Sequence, residues 1–255
     1  MSVLDSIIEG VREDLNTRRL PLAQLHELLE SAPKVIAPSF PLNSMSVIAE
    51  VKRKSPSKGD LADIPEPAKL AATYQEAGAS AVSVLTERRR FNGSLEDFDS
   101  VRKEITLPML RKDFMVDEYQ FYEARAHGAD LILLIVAGLS RSQLNDYFQL
   151  TTELGMKALV EVHTNDELED AMAINPEIIG VNSRNLKTLE VNAEVFKDLL
   201  PRIPAGLTKV AESGISSRSD VLVAQDAGAN VILVGEALVK SGDPIKSMAA
   251  LLGRQ

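Results

Sequence analysis

Polar residues that could perform acid–base chemistry recur at the ends of short apolar runs in this sequence. They are Glu50, Lys52, Lys112, Glu161, Asn182, Arg184 and Glu212. Positioned lysines and carboxylates are general acids and bases, and charged groups next to buried strands need partners. Because side chains alternate along a strand, Glu50 and Lys52 share one face, as do Asn182 and Arg184. If these run ends converge, the pattern predicts a catalytic site for a charged substrate.

A second set of residues indicates an anion site. Ser213-Gly214 and Gly235 follow the last two apolar runs, and the segment KSPSKG after the first run contributes Lys54 and Ser55. Backbone N–H groups in such turns, often with a helix N-terminus, bind phosphate in many barrels. Each signal is weak alone, but together they favour a phosphorylated small substrate.

The elements that must position these residues alternate between apolar runs and amphipathic stretches. Eight runs are candidate strands: 46–51, 81–86, 107–111, 131–136, 157–162, 178–182, 208–213 and 231–235. Their nearly continuous apolar character is typical of parallel strands buried on both faces. Helix–glycine–strand junctions recur at Gly78, Gly128 and Gly228, which are 50 and 100 residues apart. The repeat favours a closed (β/α)₈ barrel, and no G-x-G-x-x-G follows the first strand as a dinucleotide-binding sheet would require.

The first 45 residues differ from the rest of the chain. Apolar residues at helical spacing over 3–15 and 22–29 predict two helices, and a proline-rich stretch follows them. We therefore predict an α/β protein with a single domain over 1–255, in which an N-terminal helical extension (1–45) precedes a TIM barrel (46–255). The extension either covers one end of the core or takes part in substrate binding.

Composition excludes several classes of function. The 255 residues include no cysteine, which excludes disulfides, thiol nucleophiles and cysteine-based metal sites, and three scattered histidines leave little for zinc. The net charge of −9 argues against nucleic acid or acidic membranes as partners. No apolar run approaches the roughly 20 residues of a membrane-spanning helix, and the acidic N-terminus is unlike a signal peptide. We predict a cytoplasmic monomer that needs no metal or other cofactor.

Long motifs carry a resemblance to a known family. They are VIAEVKRKSPSKG, SVLTERRRFNGSLEDF, PMLRKDFMVDEYQFYEARAHGADLILLIV, ALVEVHT, IIGVNSRNLKTLEV, VAESGIS and ILVGEALV. In this order, over about residues 46–245, they resemble indole-3-glycerol phosphate synthase of tryptophan biosynthesis, a carboxy-lyase. The resemblance implies that 1-(2-carboxyphenylamino)-1-deoxyribulose 5-phosphate is cyclised, decarboxylated and dehydrated to indole-3-glycerol phosphate.

The resemblance also implies roles for the residues in these motifs. Lys112 would be the general acid at the ribulose carbonyl, and Glu161 the base in the later dehydration. Lys52 would bind the substrate carboxylate and assist the loss of water, and Glu50 would orient the lysines. The remaining implied contacts are Asn182 and Arg184 to the carboxylate and sugar hydroxyls, Glu212 at the barrel mouth, Lys54, Ser55, Ser213, Gly214 and Gly235 to phosphate, and Phe91, Phe114, Leu133 and Leu189 to the aromatic ring.

Three alternative functions remain open at the level of the residues. A phosphoribosylanthranilate isomerase would use a carboxylic acid with a thiol or second carboxylate, which fits poorly with two strand-end lysines and no cysteine. An aldolase would use Lys112 as a Schiff-base nucleophile. A barrel that only binds a phosphorylated ligand would show affinity without turnover. Two nearby residues carry separate expectations: Asp113 forms an ion pair at the barrel rim, and His163, two residues beyond Glu161, is a minor candidate for chemistry.

Overall fold

A computed structural model describes residues 2–254, in which eight parallel strands close into a barrel. The strands are β1 (Ser46–Val51), β2 (Ala81–Leu85), β3 (Met109–Lys112), β4 (Leu131–Ile135), β5 (Lys157–Val162), β6 (Ile178–Asn182), β7 (Thr208–Glu212) and β8 (Val231–Val234). Each strand pairs with the next along the chain, and β1 pairs with β8, Ser46 lying opposite Val231. The predicted barrel is confirmed.

Helices follow every strand and form the outer layer. They are α3 (Pro67–Glu76), α4 (Leu95–Glu104), α5 (Tyr119–Ala126), α6 (Arg141–Glu153), α7 (Asn165–Ala173), α8 (Glu194–Leu199), α9 (Arg218–Asp226), α10 (Glu236–Lys240) and α11 (Pro244–Leu252). The N-caps of α4, α6, α7 and α9 are Ser94, Ser140, Thr164 and Ser217, and the side-chain oxygen of each accepts a backbone N–H from the first turn.

The repeated glycines end helices as the sequence indicates. Gly78, Gly128 and Gly228 follow α3, α5 and α9 with φ of 86°, 83° and 106°. Glycine adopts this left-handed conformation without the Cβ clash that other residues suffer, so the chain can turn directly into the next strand.

Alternating strand residues divide the core into two layers. On β1, Val47 and Ala49 pack in the layer between strands and helices, whereas Ile48 belongs to the cluster inside the barrel. Leu110, Leu131 and other buried aliphatic residues fill the same interior, so the barrel is a packed core rather than a pore. The catalytic candidates therefore lie above an apolar floor.

Several strand ends differ from the prediction by one or two residues. The runs predicted to end at Thr86, Val136, Ser213 and Gly235 end one residue earlier. The third strand begins at Met109 rather than Leu107, since Pro108 has no N–H to give to the ladder. An apolar run indicates which residues are buried, whereas the first and last residues of a strand depend on hydrogen bonding to the neighbouring strands.

The N-terminal extension consists of α1 (Val3–Arg18) and α2 (Leu22–Ser31) and packs on the barrel. Leu4, Ile7 and Val11 on one face of α1 join the cluster inside the barrel mouth. Polar contacts reinforce this packing: Arg18 pairs with Glu123 at 3.0 Å. The extension is thus part of the wall of the site as well as a cover.

Candidate active site

The centre of the barrel mouth is an ion cluster around Lys112. Its Nζ lies 2.9 Å from Glu161 Oε2 and 2.7 Å from Glu212 Oε2. These groups lie at the carboxyl ends of β3, β5 and β7, so the odd-numbered strands bring together residues that are 49 and 100 positions apart in the chain. Both carboxylates are buried, and the Lys112 side chain is 11% exposed towards the cavity. The convergence predicted from the run ends is present.

The cluster sets the protonation of its members. Burial alone would lower the pKa of Lys112, but Glu161, Glu212 and Glu50 outweigh it and raise that pKa above its usual range. Burial opposes ionisation of Glu161 too, but Lys112 and His163 hold its pKa below the usual range. Burial raises the pKa of Glu212, and the nearby Glu161 adds to this effect. Lys112 is therefore an ammonium and Glu161 a carboxylate, whereas Glu212 is the member that binds a proton most readily.

A glycine makes room for Glu212. A Cβ on Gly180 of β6 would lie 2.1 Å from Glu212 Oε1 and 3.1 Å from Leu159 Cδ1. Gly180 is held in the ladder opposite Glu161 and Val210, so its backbone is not free to retreat. The absence of a side chain at this position is what allows Glu212 to reach Lys112.

A second ion pair lies on β1. Lys52 Nζ donates to Glu50 Oε1, and the Lys52 side chain is 22% exposed, so its charge is available to a ligand. Gly235 packs against Glu50, since a Cβ there would lie 3.0 Å from both the Cβ and the carbonyl oxygen of Glu50. Lys52 can therefore exchange Glu50 for a substrate carboxylate while Glu50 remains fixed.

A cavity of about 810 Å³ joins these groups. Of the residues predicted to form the site, all except Lys54 line it: Glu50, Lys52, Ser55, Phe91, Lys112, Phe114, Leu133, Glu161, Asn182, Arg184, Leu189, Glu212, Ser213, Gly214 and Gly235. Lys54 instead begins a small antiparallel hairpin, in which Lys54 and Ser55 pair with Asp60 and Gly59. The hairpin directs Ser55 and Lys58, rather than Lys54, to the cavity.

One end of the cavity is suited to an anion. Ser213 and Gly214 follow β7 with φ of 66° and 71°, a left-handed conformation that is uncommon for serine. Arg184 lies beside them on the β6 loop, where its Nη1 donates to Ser57 Oγ and to the Leu189 carbonyl, both at 2.9 Å. Backbone N–H groups in such turns can bind an anion, and the charge of Arg184 adds to the suitability of this end for a negatively charged ligand.

The other end is apolar. The Phe91 and Phe114 rings lie 6.1 Å apart, and Leu133 adds an aliphatic surface. The buried carboxylate of Glu87 fixes the loop of Phe91 by accepting its N–H at 2.9 Å. Asp113 does the same for Phe114, at 2.8 Å. The two ends together suit a ligand with an aromatic ring and a phosphate.

Some residues in or near the cavity are not among the site residues predicted from the sequence. Ser57, Lys58 and Ser216 line the cavity without having been predicted, although the basic, glycine-containing context of Lys58 was a usable signal. Asp113 forms the expected ion pair, 3.1 Å from the fully buried Arg111. His163, given little weight, lies 3.3 Å from Glu161.

Two further properties concern residues 2–254. Within them, no group of three or more histidines and carboxylates is arranged to hold a metal ion. None of the helices in the same range is both long and apolar enough to cross a membrane.

Comparison with known structures supports the fold. The barrel is similar to a crystal structure of 3-hexulose-6-phosphate synthase, with a TM-score of 0.66 and 14% identity over 82% of this chain and 99% of that one. It is also similar to a chain of the tryptophan synthase complex from Pyrococcus furiosus, with a TM-score of 0.63 and 20% identity over 82% and 98% of the two chains. At these identities the likeness concerns the fold alone.

Sequence comparison identifies the family. Residues 4–251 match the family model for indole-3-glycerol phosphate synthase. Proteins of that name from Paenarthrobacter aurescens and Micrococcus luteus are 55% and 54% identical, over 96% and 98% of this chain and 93% and 97% of theirs. The chain therefore belongs to the indole-3-glycerol phosphate synthase family.

Proposed function

We propose that the Lys112 cluster carries out the indole-3-glycerol phosphate synthase reaction. This step of tryptophan biosynthesis converts 1-(2-carboxyphenylamino)-1-deoxyribulose 5-phosphate into indole-3-glycerol phosphate, carbon dioxide and water. The observation that carries the assignment of roles is the contact of one lysine with two buried carboxylates at the mouth of the barrel, at 2.9 and 2.7 Å. A lysine held in this way is a proton donor beside a ready base.

Substrate binding follows from the two ends of the cavity. The phosphate binds near Ser213, Gly214 and Gly235, and the aromatic ring packs between Phe91, Phe114, Leu133 and Leu189. Lys52 pairs with the anthranilate carboxylate, while Asn182 and Arg184 contact the sugar hydroxyls and carboxylate. Ser55 and Lys58 complete the phosphate site from the hairpin. In this orientation the ribulose carbonyl lies near Lys112.

Ring closure requires an acid at the ribulose carbonyl oxygen. As the aromatic carbon attacks the carbonyl carbon, negative charge develops on that oxygen, and the Lys112 ammonium donates a proton to it. Loss of carbon dioxide from the same ring carbon restores the electron pair to the ring. Glu212, the most easily protonated member of the cluster, lies 2.7 Å from Lys112 and can replace the lost proton.

Dehydration requires a base and a second acid. Until Glu212 returns a proton to it, neutral Lys112 does not lower the pKa of Glu161 by its charge, so Glu161 is a stronger base during that interval. Glu161 then removes the ring proton while Lys52 assists the departing hydroxyl group. Glu50 accepts a hydrogen bond from Lys52 Nζ and so orients Lys52 between turnovers.

A Schiff-base role for Lys112 is less favourable. A nucleophilic lysine must be neutral, and desolvation usually lowers its pKa for that purpose. Here the neighbouring carboxylates raise the pKa of Lys112 despite its burial. Borohydride treatment in the presence of substrate should therefore leave the protein unmodified, whereas an aldolase-type enzyme would be trapped covalently.

The decisive test is a fluorescence assay of indole-3-glycerol phosphate formation with Lys112→Ala and Glu161→Gln. Each substitution should reduce turnover by about 10²-fold or more. Lys157→Ala is the matched control, because Lys157 begins β5 at the opposite end of the barrel and pairs with Glu177 at 2.6 Å. Near-normal turnover in a folded Lys112 or Glu161 variant would remove that residue from the mechanism.

Two finer properties complete the proposal. We expect the enzyme to be a monomer and to act in the cytoplasm. Light scattering of the active protein would show a mass near 27.8 kDa if the first expectation is right. Activity confined to a larger species would contradict it.

A further inference from the structure

A histidine lies directly behind the proposed base. His163 follows β5 two positions after Glu161, so the two side chains lie on the same face. Its Nε2 is buried and lies 3.3 Å from Glu161 Oε1, within ion-pairing distance but without the alignment of a hydrogen bond. The other oxygen, Oε2, is the one in contact with Lys112. Lys112 thus contacts one oxygen of Glu161, and His163 lies next to the other.

The opposite side of the imidazole faces a second carboxylate. His163 Nδ1 lies 2.9 Å from Glu167 Oε2, which also accepts the His163 backbone N–H at 2.7 Å. Glu167 lies in the first turn of α7, and its own N–H is donated to the Thr164 cap at 3.3 Å. The N-terminal turn of α7 therefore fixes the position of Glu167, and Glu167 in turn orients the His163 ring.

Two flanking carboxylates require a doubly protonated ring. A neutral imidazole carries one proton, so one of its nitrogens would present a lone pair to a carboxylate. The charged groups that face His163 are Glu161 from its own strand and Glu167 from α7, and Lys112 acts beyond Glu161. Burial alone would lower the pKa of His163, but the two glutamates outweigh it and raise the pKa to about 9.

We propose that His163 is a positioning residue, whose imidazolium fixes the carboxylate of Glu161 for proton transfer and is itself anchored by Glu167. The inference rests on the proposed function of Glu161 as the base. Its consequence is that Glu161 stays oriented during the stage at which Lys112 has given up its proton. When the imidazolium loses its proton, Glu161 loses one of its two fixed contacts and turnover falls.

Steady-state pH profiles test this role. His163→Asn should lower kcat by about tenfold or more with KM changed less than twofold, because His163 touches the base and does not line the cavity. In the wild type kcat should fall above pH 9, and in Glu167→Gln the fall should move to lower pH. His127→Asn is the control, since His127 pairs with Asp99 on the outside of the barrel. Unchanged kcat profiles in the His163 and Glu167 variants would overturn the proposal.

Nuclear magnetic resonance of ¹⁵N-histidine-labelled protein gives an independent result. The chain has three histidines, and each can be assigned from its own variant. His163 should be an imidazolium at pH 7.5 in the wild type and should titrate at lower pH in Glu167→Gln. A neutral ring at pH 7.5 would overturn the proposal even if His163→Asn failed to fold. Because this titration needs no turnover, it separates failure of this inference from failure of the proposed function.

Discussion

Gly180 offers a sharp test of the site because the reason for its lack of a side chain is specific. In Gly180→Ala, the new methyl carbon would lie 2.1 Å from Glu212 Oε1, which is more than about 1 Å inside normal contact. The backbone is held by pairing on both sides, opposite Glu161 and Val210. Glu212 must therefore turn away, and Lys112 loses the carboxylate that lies 2.7 Å from it.

The expected cost has two parts. Overpacking of a well-filled core typically costs about 1–3 kcal/mol, so the free energy of unfolding should decrease by that amount. Turnover should fall by about 10²-fold, since the general acid loses both a positioning contact and the group that can reprotonate it. Unfolding in urea and the fluorescence assay measure these two effects separately. Gly138→Ala is the control, because its methyl would meet only the flexible end of Ile8, at 3.3 Å.

The double variant Gly180→Ala/Glu212→Ala decides whether the overlap is the cause. Removing the Glu212 side chain removes the clash, so the double variant should be more stable than the sum of the single effects predicts, by about 1 kcal/mol or more. Additive effects would refute the reasoning. So would a Gly180→Ala protein with wild-type stability and turnover.

Three further predictions concern pH, the extension and the hairpin. The stability contributed by the charge of His163 should be complete below its unfolded pKa of about 6.5 and should be lost as pH rises through about 9. The difference in free energy of unfolding between the wild type and His163→Asn, measured in urea, should therefore decrease across that interval. An increase would contradict the prediction. Deleting the chain through Asn43 should raise KM while the barrel still unfolds cooperatively. Loss of cooperative unfolding would show instead that the extension completes the core. Backbone amides of residues 54–60 should exchange faster in the free enzyme than in the product complex, and equal protection in both would mean that the hairpin is a fixed part of the cavity wall. Of the two lysines only Lys58 lines the cavity, so Lys58→Ala should raise KM more than Lys54→Ala.

Local patterns were sufficient to predict the barrel and most of its mouth. Continuous apolar runs predicted buried parallel strands, and glycines such as Gly78 predicted the helix ends, because both signals depend on short stretches of backbone. Polar residues at the ends of those runs, Lys112 and Glu161 among them, had to lie at the carboxyl ends of strands, which share one end in such a barrel. The chemistry of these residue types then indicated acid–base catalysis.

Only the tertiary structure decided how these residues act on one another. Lys112 and Glu212 are 100 residues apart, and nothing local specifies that Gly180 leaves the space in which they meet. The pairing of the hairpin, rather than charge, determined that Lys58 lines the cavity while Lys54 does not. The protonation state of His163 depends on the carboxylates of Glu161 and Glu167, which lie on either side of its ring. Contact, burial and pKa are properties of side chains from separate elements, so they arise only once the barrel has closed.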